Sequence, residues 1–538
     1  MHLSPRSNPG CCGEFWGVCH LGISAHKEWL VIVIGSSTSL SFGRHPSTTP
    51  KIRAALFFSR SIEIFHQHGL EPSFHDAPAK SFDLDAGMLM TTSLNGGCVL
   101  AHLQGSDPAR AALFTHCHRL WLTQNIAAQR FGECVLHYGE EDDDVLVVTE
   151  SVDAGERHKY RARYLVACDG NRSPARRKEG IEWSGPRVLS SNISIYFRAD
   201  LALFLGTWAK YGTVYIFNSN IHAGGRRRRL WGWLSGKGWE KVEHFEVEGI
   251  SYFNMAALNA HRYASKGGKG RAFLASVAAH VMPPTGGMCG NTGVQDVYNL
   301  AWKLAFVVHS RASDTLPATY STEHQGAAGF AVEQAYIRYA NRVSNDPKAP
   351  HEEELADGTV ELGYHYPDGA SVCESDENEN EKFWEDPYAP TATPGSRQPH
   401  VFLPRNGKDL STLDLVKRNF VILSVEAGSP WNVAASKQDV PVDAYGVFDG
   451  SKEALGPTGR FSEVCGLKKG QALLVRPDGF VAWRAPALNQ GHAERFSKMD
   501  PDSPHGAFWE RVDAFAIYEG KISSHYSIKF DNDQFQHF

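Results

Sequence analysis

The segment ASVAAHVMPPTGGMCGNTGVQDVYNLAWKL, residues 275–304, decides which fold this chain of 538 residues adopts. A short apolar strand at residues 273–275 runs into a glycine-rich loop, and the loop opens a long amphipathic helix. Thr292 and Gln295 have capping-box spacing, which predicts Thr292 as the N-cap of this helix. Apolar side chains then recur at helical spacing, at Val294, Val297, Tyr298, Ala301, Leu304, Ala305 and Val308.

The loop before this helix has features of a ligand cradle. The start of a helix presents unpaired N–H groups and the positive end of the helix dipole. Gly286, Gly287 and Gly290 have no Cβ, so a flat or anionic ligand can lie against the backbone. Taken alone, the glycines leave an ordinary strand–turn–helix connection equally open.

A second motif, DGNRSPAR at residues 169–176, follows the short strand at residues 164–168. Ser173 and Pro174 predict an N-cap and a first helical residue. A carboxylate accepts hydrogen bonds from ribose hydroxyls and arginine pairs with phosphate, so the motif suits a nucleotide. An Asp-Gly turn with a helix cap, which is common in proteins, explains the same residues without a ligand.

The apolar segment WLVIVIG, residues 29–35, predicts a buried parallel strand, which is typical of the first strand of a dinucleotide-binding domain. Such a strand is normally followed by a Gly-x-Gly-x-x-Gly turn, a helix and an acidic residue for the ribose. Here the next residues are SSTSLSFGRHP, residues 36–46. The fingerprint is therefore absent, and the segment has no room for a helix.

Composition excludes several classes of function. The net charge of −6 argues against a dedicated nucleic-acid binder. The ten cysteines are irregularly spaced and predict neither a disulfide framework nor a metal site, so we expect a reduced, cytoplasmic protein. No apolar stretch is long enough to cross a bilayer, so we expect no membrane partner.

These motifs together resemble the FAD-dependent aromatic hydroxylases, the phenol 2-monooxygenase-like group A flavoprotein monooxygenases. The segments at residues 44–46, 164–176, 192–200, 333–339 and 470–484 are also similar to this family. In the flavin loop the matching positions are His280, Pro283, Pro284, Gly286, Gly287, Gly290, Asn291, Asp296, Asn299 and residues 302–304.

The resemblance implies a set of cofactor contacts. Arg53 would face the flavin and pyrophosphate, and Asp169-Gly170 would touch FAD and help to receive NADPH. His280 would pack the loop rather than act as a base. No catalytic residue is assigned, and Tyr211 and Tyr215, in the substrate region, are expected to pack in the core. The expected FAD-binding residues are Arg53, Asp169, Gly170, His280, Pro284, Gly286, Gly287, Gly290, Asn291 and Thr292.

The resemblance also implies an α/β fold with three parts. These are a Rossmann-like FAD-binding domain of the para-hydroxybenzoate hydroxylase type, a β-sheet substrate domain and a C-terminal thioredoxin-like domain without a Cys-x-x-Cys pair. The expected boundaries are an unstructured lead-in at 1–26, the FAD domain at 27–185 and 270–345, truncated near 35–44, the substrate sheet at 186–269, an exposed linker at 346–394 and the thioredoxin-like domain at 395–525.

The chain departs from the family at ligand-contacting positions. The phosphate-binding turn, its helix and the ribose carboxylate are missing together. The family's Gly-Asp before the flavin loop is replaced by Ser276-Val277, and Val277 cannot hydrogen-bond the ribityl chain as that aspartate does.

We therefore expect an FAD-dependent monooxygenase of secondary metabolism that hydroxylates a phenolic or other aromatic substrate with NAD(P)H and O2. A homodimer is the expected assembly, with no nucleic-acid partner. The alternative is a catalytically impaired relative that no longer binds FAD tightly and acts only as a binding protein. A flavoprotein with altered chemistry, such as decarboxylative oxidation, is a third interpretation.

Overall fold

The structure is a computed structural model of the chain. The described residues are 30–34, 39–46, 57–69, 88–92, 98–103, 129–141, 143–199, 205–211, 213–216, 246–266, 270–344, 346–371, 383–405, 408–425, 429, 431, 435–436, 440–447 and 460–485. The expected lead-in at 1–26 and Arg53 lie outside them.

The described residues form many short strands and six α-helices. The helices are α1 Ser59–Gln67, α2 Pro174–Lys178, α3 Met288–Val308, α4 Thr319–Arg342, α5 Asp357–Leu362 and α6 Arg460–Cys465. The strands are β1 Leu30–Ile34, β2 Ser39–Gly43, β3 Met88–Thr91, β4 Val99–Leu103, β5 Gln129–Phe131, β6 Glu133–Glu140, β7 Val145–Ser151, β8 Arg157–Ala162, β9 Tyr164–Cys168, β10 Trp183–Ser184, β11 Ser190–Arg198, β12 Thr213–Ile216, β13 Glu246–Met255, β14 Leu258–Ala260, β15 Ala272–Leu274, β16 His280–Val281, β17 Phe402–Arg405, β18 Lys408–Ser411, β19 Phe420–Ser424, β20 Val442–Gly446, β21 Ala472–Val475 and β22 Val481–Ala485.

Contacts divide the chain into two compact units. The first contains the described residues within Met1–Thr48, Leu122–Pro186 and Ala257–Phe538. The second contains those within Thr49–Trp121 and Arg187–Ala256. The domain boundaries expected from the sequence stay predictions.

The first unit is built on a five-stranded sheet of order β15-β9-β1-β2-β5. Strands β15 and β9 are parallel, as are β2 and β5. The prediction of a parallel first strand is wrong, because β1 pairs antiparallel with both β2 and β9. The reason is the length of the connection. Only residues 35–38 separate β1 from β2, whereas a parallel return needs a crossover of roughly a dozen residues or more.

The C-terminal part has a four-stranded sheet of order β20-β19-β21-β22. Strand β21 is antiparallel to its neighbours β19 and β22, and β19 is parallel to β20, as expected of a thioredoxin-like domain. Apolar side chains fill its core, among them Val421, Leu473 and Val481. Cys465 is buried in this core as a free thiol, and burial raises its pKa to about 12, consistent with packing rather than redox chemistry.

One part of the expected linker at residues 346–394 is packed rather than exposed. Part of this segment forms α5, and Tyr364 and Tyr366 are buried against Phe480 with ring centroids 5.5 and 4.3 Å away. The sequence signal was misleading because its polar composition concentrates at residues 374–381, which lie outside the described part of the chain.

The second unit contains α1 and two small sheets. Strands β11 and β13 form an antiparallel ribbon with an irregularity at Tyr196/Phe197. Strands β12, β3 and β4 form a three-stranded sheet. Strand β11 covers most of the segment at 192–200 that is similar to the family. Tyr211 is half-buried here, and the side chain of Tyr215 lies outside the described part of the structure.

Candidate functional site

The two motifs singled out in the sequence meet at one edge of the five-stranded sheet. Strands β9 and β15 are parallel neighbours in the register Leu274↔Ala167. The amide of Ala275 donates to the carbonyl of Ala167 at 3.0 Å. Because the carboxyl ends of parallel neighbours share an edge, the turn at Asp169 and the loop after Ala275 lie next to each other, where open α/β sheets bind ligands.

Asp169 is buried directly after β9. Its Oδ2 accepts a hydrogen bond from the amide of Ala175 at 3.1 Å, and Gly170 makes the turn with φ of 81°. Ser173 caps α2 by accepting from the amide of Arg176 at 2.9 Å, as predicted. Burial raises the pKa of Asp169, although hydrogen bonds from Ser173 and the amide of Ala175 act in the opposite direction, and Oδ1 has no hydrogen-bond partner among the described residues. This oxygen is therefore suited to accept a hydroxyl of a ligand.

The loop from Ala275 to α3 is shaped by two glycines. Gly286 and Gly287 have φ of 97° and 72°, a region that favours glycine. A Cβ on Gly286 would lie 3.0 Å from Cδ of the buried Arg338. Gly287 is the N-cap of α3 and offers no capping side chain, so the first amides of the helix are left for the loop and a ligand.

The prediction of Thr292 as N-cap is wrong. The two left-handed glycines end the loop earlier, so α3 begins at Met288. Thr292 lies inside the helix, where its hydroxyl donates to the carbonyl of Met288 at 3.1 Å. Asn291 also lies in the helix, and its side-chain amide donates to the carbonyl of Gly287 at 2.8 Å.

The predicted loop residues differ in exposure. Pro284 is exposed, whereas Gly286, Gly287 and Gly290 are half-buried. Asn291 is buried. The half-buried glycines of the loop therefore leave backbone accessible beside the start of α3.

His280 is fully buried and paired with Asp296. Its Nε2 lies 2.7 Å from Asp296 Oδ2, which also accepts the amide of Ser276 at 2.7 Å. The Nδ1 of His324, from α4, lies 2.9 Å from Asp296 Oδ1. Asp296 therefore ties the beginning and middle of the loop to α3 and α4.

The electrostatics of this pair fix its protonation. Burial lowers the pKa of His280, but the charge of Asp296 and their hydrogen bond outweigh burial and raise that pKa to about 10. Burial works against the charged form of Asp296, yet His280 and His324 hold its pKa well below the usual range. An imidazolium held in this way is a structural cation rather than a general base near neutral pH.

Ser276 and Val277 occupy the family's Gly-Asp positions. Ser276 has φ of 56°, a conformation that strains residues other than glycine, and it is buried. Its hydroxyl has no hydrogen-bond partner among the described residues. Val277 is only 9% exposed and brings no hydrogen-bonding group. The family's glycine fits this backbone better than the serine present.

Helix α3 is not amphipathic in the sense predicted. It is buried on nearly all sides, including its polar residues Asp296, Asn299 and Lys303. Asn299 Nδ2 and Lys303 Nζ both donate to Glu323 Oε2 of α4, each at 2.6 Å. The signal that could have found this network is the placement of polar residues at i, i+3 and i+7 within an otherwise apolar helix.

Two known families match this chain, one over the region that contains the candidate site and one over the C-terminal domain. The FAD binding domain family matches residues 39–225 and 232–335, and the family aromatic-ring hydroxylase, C-terminal, matches residues 391–499. The chain belongs to the FAD-dependent aromatic-ring hydroxylases. The flavin loop, α3 and the Asp169 turn all fall within the FAD-binding match.

Characterised hydroxylases resemble the chain over most of its length. It is 32% identical to 4-methyl-5-nitrocatechol 5-monooxygenase of Burkholderia sp over 501 residues, which is 84% of this chain and 90% of that protein. It is 36% identical to aklavinone 12-hydroxylase RdmE of Streptomyces purpurascens over 66% of this chain and 71% of that protein.

Among solved structures, aklavinone-11 hydroxylase in complex with FAD and aklavinone has a TM-score of 0.72 at 26% identity, covering 91% of this chain and 98% of that one. The monooxygenase PieE shares the fold, with a TM-score of 0.69 at 23% identity, covering 95% of this chain and 98% of that one.

These findings confirm the predicted family, fold class and cofactor. The hydroxylase is an FAD-dependent monooxygenase, and NAD(P)H is the co-substrate typical of its class. The comparisons give no support to the alternative of an impaired relative. Within the described residues there is no cluster of potential metal ligands, and no helix there is long and apolar enough to cross a membrane.

Proposed function

We propose that this hydroxylase adds one oxygen atom of O2 to a phenolic or other electron-rich aromatic ring, with NAD(P)H as reductant. The observation that carries the proposal is the meeting of the glycine-rich start of α3 with the buried Asp169 at one sheet edge. Relatives named for a nitrocatechol and for aklavinone support an aromatic substrate. Both small phenols and polycyclic aromatics are therefore substrates to test.

The residues of this edge fit FAD in part. Asp169 Oδ1 is placed to accept a ribose or ribityl hydroxyl, and the amides that begin α3 are placed to face an anionic group. Gly170, Gly286 and Gly287 keep the backbone approachable. Bound FAD supplies the redox chemistry and oxygen activation, while the chain holds and orients it and excludes water.

The remaining predicted FAD-binding residues have different support. The resemblance adds Arg53 and Pro284, and Gly290 and Asn291 belong to the first turn of α3. His280 supports the loop through its contact with Asp296. Thr292 supports the first turn of α3 from within the helix.

Assembly and compartment belong to the same proposal. We place the enzyme in the cytoplasm as a homodimer. The five cysteines of the described residues are all free thiols, which supports a reducing compartment. Size-exclusion chromatography with light scattering measures the assembly, and a monomer at micromolar concentration would contradict the dimer.

The test of function begins with the purified protein. We expect flavin absorbance near one FAD per chain, and oxidation of NADH or NADPH that depends on an aromatic substrate. A panel of 4-methyl-5-nitrocatechol, 2,4-dichlorophenol and aklavinone compares the substrate classes named by relatives. Mass spectrometry after reaction under 18O2 should find one labelled oxygen per product. A colourless protein that ignores added FAD would overturn the proposal.

The proposed site has its own test, Gly286→Ala. The new Cβ meets Arg338 at 3.0 Å and the φ of 97° strains alanine, so the loop must shift. We expect the Kd of the apoprotein for FAD to rise about tenfold or more. Gly155→Ala is the matched control, because Gly155 has φ of 67° with open space around it and lies in the β7–β8 hairpin. Equal affinities in the two variants would argue against the loop as the FAD site.

A further inference from the structure

The turn between β21 and β22 of the C-terminal domain is buried against the flavin-binding helix. This turn comprises residues 476–479 and is called the 476–479 turn. Its Arg476 and Asp478 are at most 1% exposed. The amide of Gly479 donates to the carbonyl of Arg476 at 2.9 Å, and Gly479 has φ of 80°. A surface hairpin would not need buried charges, so the contacts of this turn require an explanation.

Three of its contacts go directly to α3. Trp302 Nε1 and Asn299 Nδ2 donate to Asp478 Oδ2 at 3.0 and 3.3 Å. The hydroxyl of Tyr298 donates to the carbonyl of Pro477 at 2.8 Å. These α3 residues lie about three to four helical turns from Met288, the first residue of the helix, so the turn holds the body of the helix rather than its ligand-facing end.

The same turn completes a buried set of charges. Arg476 donates through both terminal nitrogens to Glu323, at 2.7 and 2.9 Å, and its Nε donates to Asp478 Oδ1 at 2.9 Å. Lys303 of α3 donates to Glu323 Oε2 at 2.6 Å. The two cations and two carboxylates cancel in formal charge. Because all four are buried, removal of one member leaves an uncompensated charge at the α3–α4 contact.

A second route leads from the turn to the flavin loop. The guanidinium of Arg476 lies 5.3 Å from the ring centroid of Tyr366. The hydroxyl of Tyr366 is hydrogen-bonded to His324 Nε2 at 2.8 Å, and His324 contacts Asp296. Asp296 in turn holds Ser276 and His280 of the loop. The C-terminal domain therefore reaches the loop through α3 and through this chain of side chains.

We propose that the 476–479 turn is a positioning element of the flavin site, with Arg476 as its positioning residue. The turn fixes the direction of α3, and through Asp296 the course of the loop, so that the first amides of the helix face the cofactor. This inference rests on the proposed function, since it takes the loop before α3 as the FAD site. It assigns the C-terminal domain a part in cofactor binding beyond its own fold.

The test compares two variants that differ in buried charge. Arg476→Met removes one cation and leaves the cluster with an excess negative charge. The double variant Arg476→Met/Asp478→Asn removes one charge of each sign and leaves the neutral pair of Lys303 and Glu323. We expect the single variant to raise the Kd of the apoprotein for FAD at least tenfold and to shift the visible spectrum of bound flavin. The double variant should recover a large part of the affinity.

Two further variants keep this test decisive. Leu473 lies in the apolar core of the C-terminal domain. The variant Leu473→Ala should therefore lower Tm while leaving the Kd for FAD unchanged. Arg476→Lys keeps the charge but loses the two-pronged contact with Glu323, and it should weaken FAD binding several-fold even where Arg476→Met fails to fold. Circular dichroism at the titration temperature establishes that each variant is folded.

Each outcome has a clear meaning. Unchanged FAD affinity in Arg476→Met and in Arg476→Lys would overturn the inference, and so would equal weakening by Leu473→Ala at the same loss of Tm. If Gly286→Ala still weakens FAD binding in those cases, the proposed function stands. A wild-type protein that binds no FAD would instead remove the proposed function itself.

Discussion

The two sides of the five-stranded sheet differ in the direction in which their strands run toward the edge that carries Asp169. At β9 and β15, both strands run toward the same edge and lead into helices α2 and α3. At β1 the direction is reversed, since Leu30 pairs with Cys168 and Ile34 with Tyr164. The carboxyl end of β1 therefore points to the opposite edge, away from Asp169.

The loop before α3, which we propose as the FAD site, takes its support from helices rather than from the first strand. The loop beside β15 is held by buried partners on α3 and α4, above all Asp296, and does not depend on the first strand for its shape. Strand β2 runs in the same direction as β9, because both are antiparallel to β1. Leu30 of β1 pairs with Gly43 on one side and with Cys168 on the other, so these two residues lie at the same level of the sheet. The segment that begins at Arg44 thus follows β2 at the same edge of the sheet as the Asp169 turn.

The largest effect is expected where the preserved side depends on one carboxylate. Asp296→Asn removes the charge that pairs with His280 and His324, all of them buried. We expect a loss of about 3–5 kcal/mol in the free energy of unfolding and loss of FAD during purification. Denaturant unfolding and flavin absorbance measure the two effects.

Asp144→Asn is the control for this prediction. Asp144 pairs with Arg161 at the surface, where an ion pair contributes about 0–1 kcal/mol. If both variants lose the same small amount, the buried network is not what holds the preserved side together.

Restoring the family's aspartate at position 277 should have the next largest effect. Val277→Asp returns a carboxylate to the place where the family's aspartate bonds the ribityl chain. A charge-assisted hydrogen bond contributes about 1.5–3 kcal/mol, so we expect FAD to bind roughly 10–100-fold more tightly. Val277→Leu keeps the site apolar and should leave the Kd unchanged. Weaker binding by the aspartate variant would show that the loop has adapted to a different ligand pose.

Much of the β9–β15 side of the sheet and of the C-terminal domain could be predicted from the sequence. The loop, the Asp169 turn with its Ser173 cap and the C-terminal strands follow from apolar runs, glycines and capping residues, which act over short distances. The reversed β1 was missed because strand direction depends on the length of its connection. The polar face of α3 was missed because its partners, such as Glu323 and Arg476, come from distant parts of the chain. Thr292 failed as a cap because two left-handed glycines start the helix earlier.

The His280–Asp296 pair predicts how stability varies with pH. The pKa of His280 rises from 6.5 to about 10 on folding, so the native state holds an extra proton above pH 6.5. Its contribution is fully present below pH 6.5 and is lost as pH rises toward 10. We expect the free energy of unfolding to fall by about 1.4 kcal/mol per pH unit, or about 2 kcal/mol between pH 6.5 and 8.

His280→Gln supplies the control for this pH profile. The variant should be less stable at pH 6.5 and should show a flatter profile up to pH 8. Above that pH Lys303, whose pKa is lowered to about 8 chiefly by burial, acts with the opposite sign and masks the slope. Parallel profiles for the two proteins between pH 6.5 and 8 would mean that His280 is neutral in the fold.

The smallest effect concerns the backbone beneath the loop, at Ser276. Ser276→Gly relieves a φ of 56° and removes a buried hydroxyl that has no partner among the described residues. We expect a gain of about 1 kcal/mol in the free energy of unfolding. Ser310→Gly is the matched control, because Ser310 has φ of 55° but is exposed after α3, so its hydroxyl is hydrated. The difference between the two gains isolates the cost of the buried hydroxyl. A smaller gain at Ser276 than at Ser310 would show that this hydroxyl is satisfied in solution, by water or by the cofactor, and that the serine is part of the binding site.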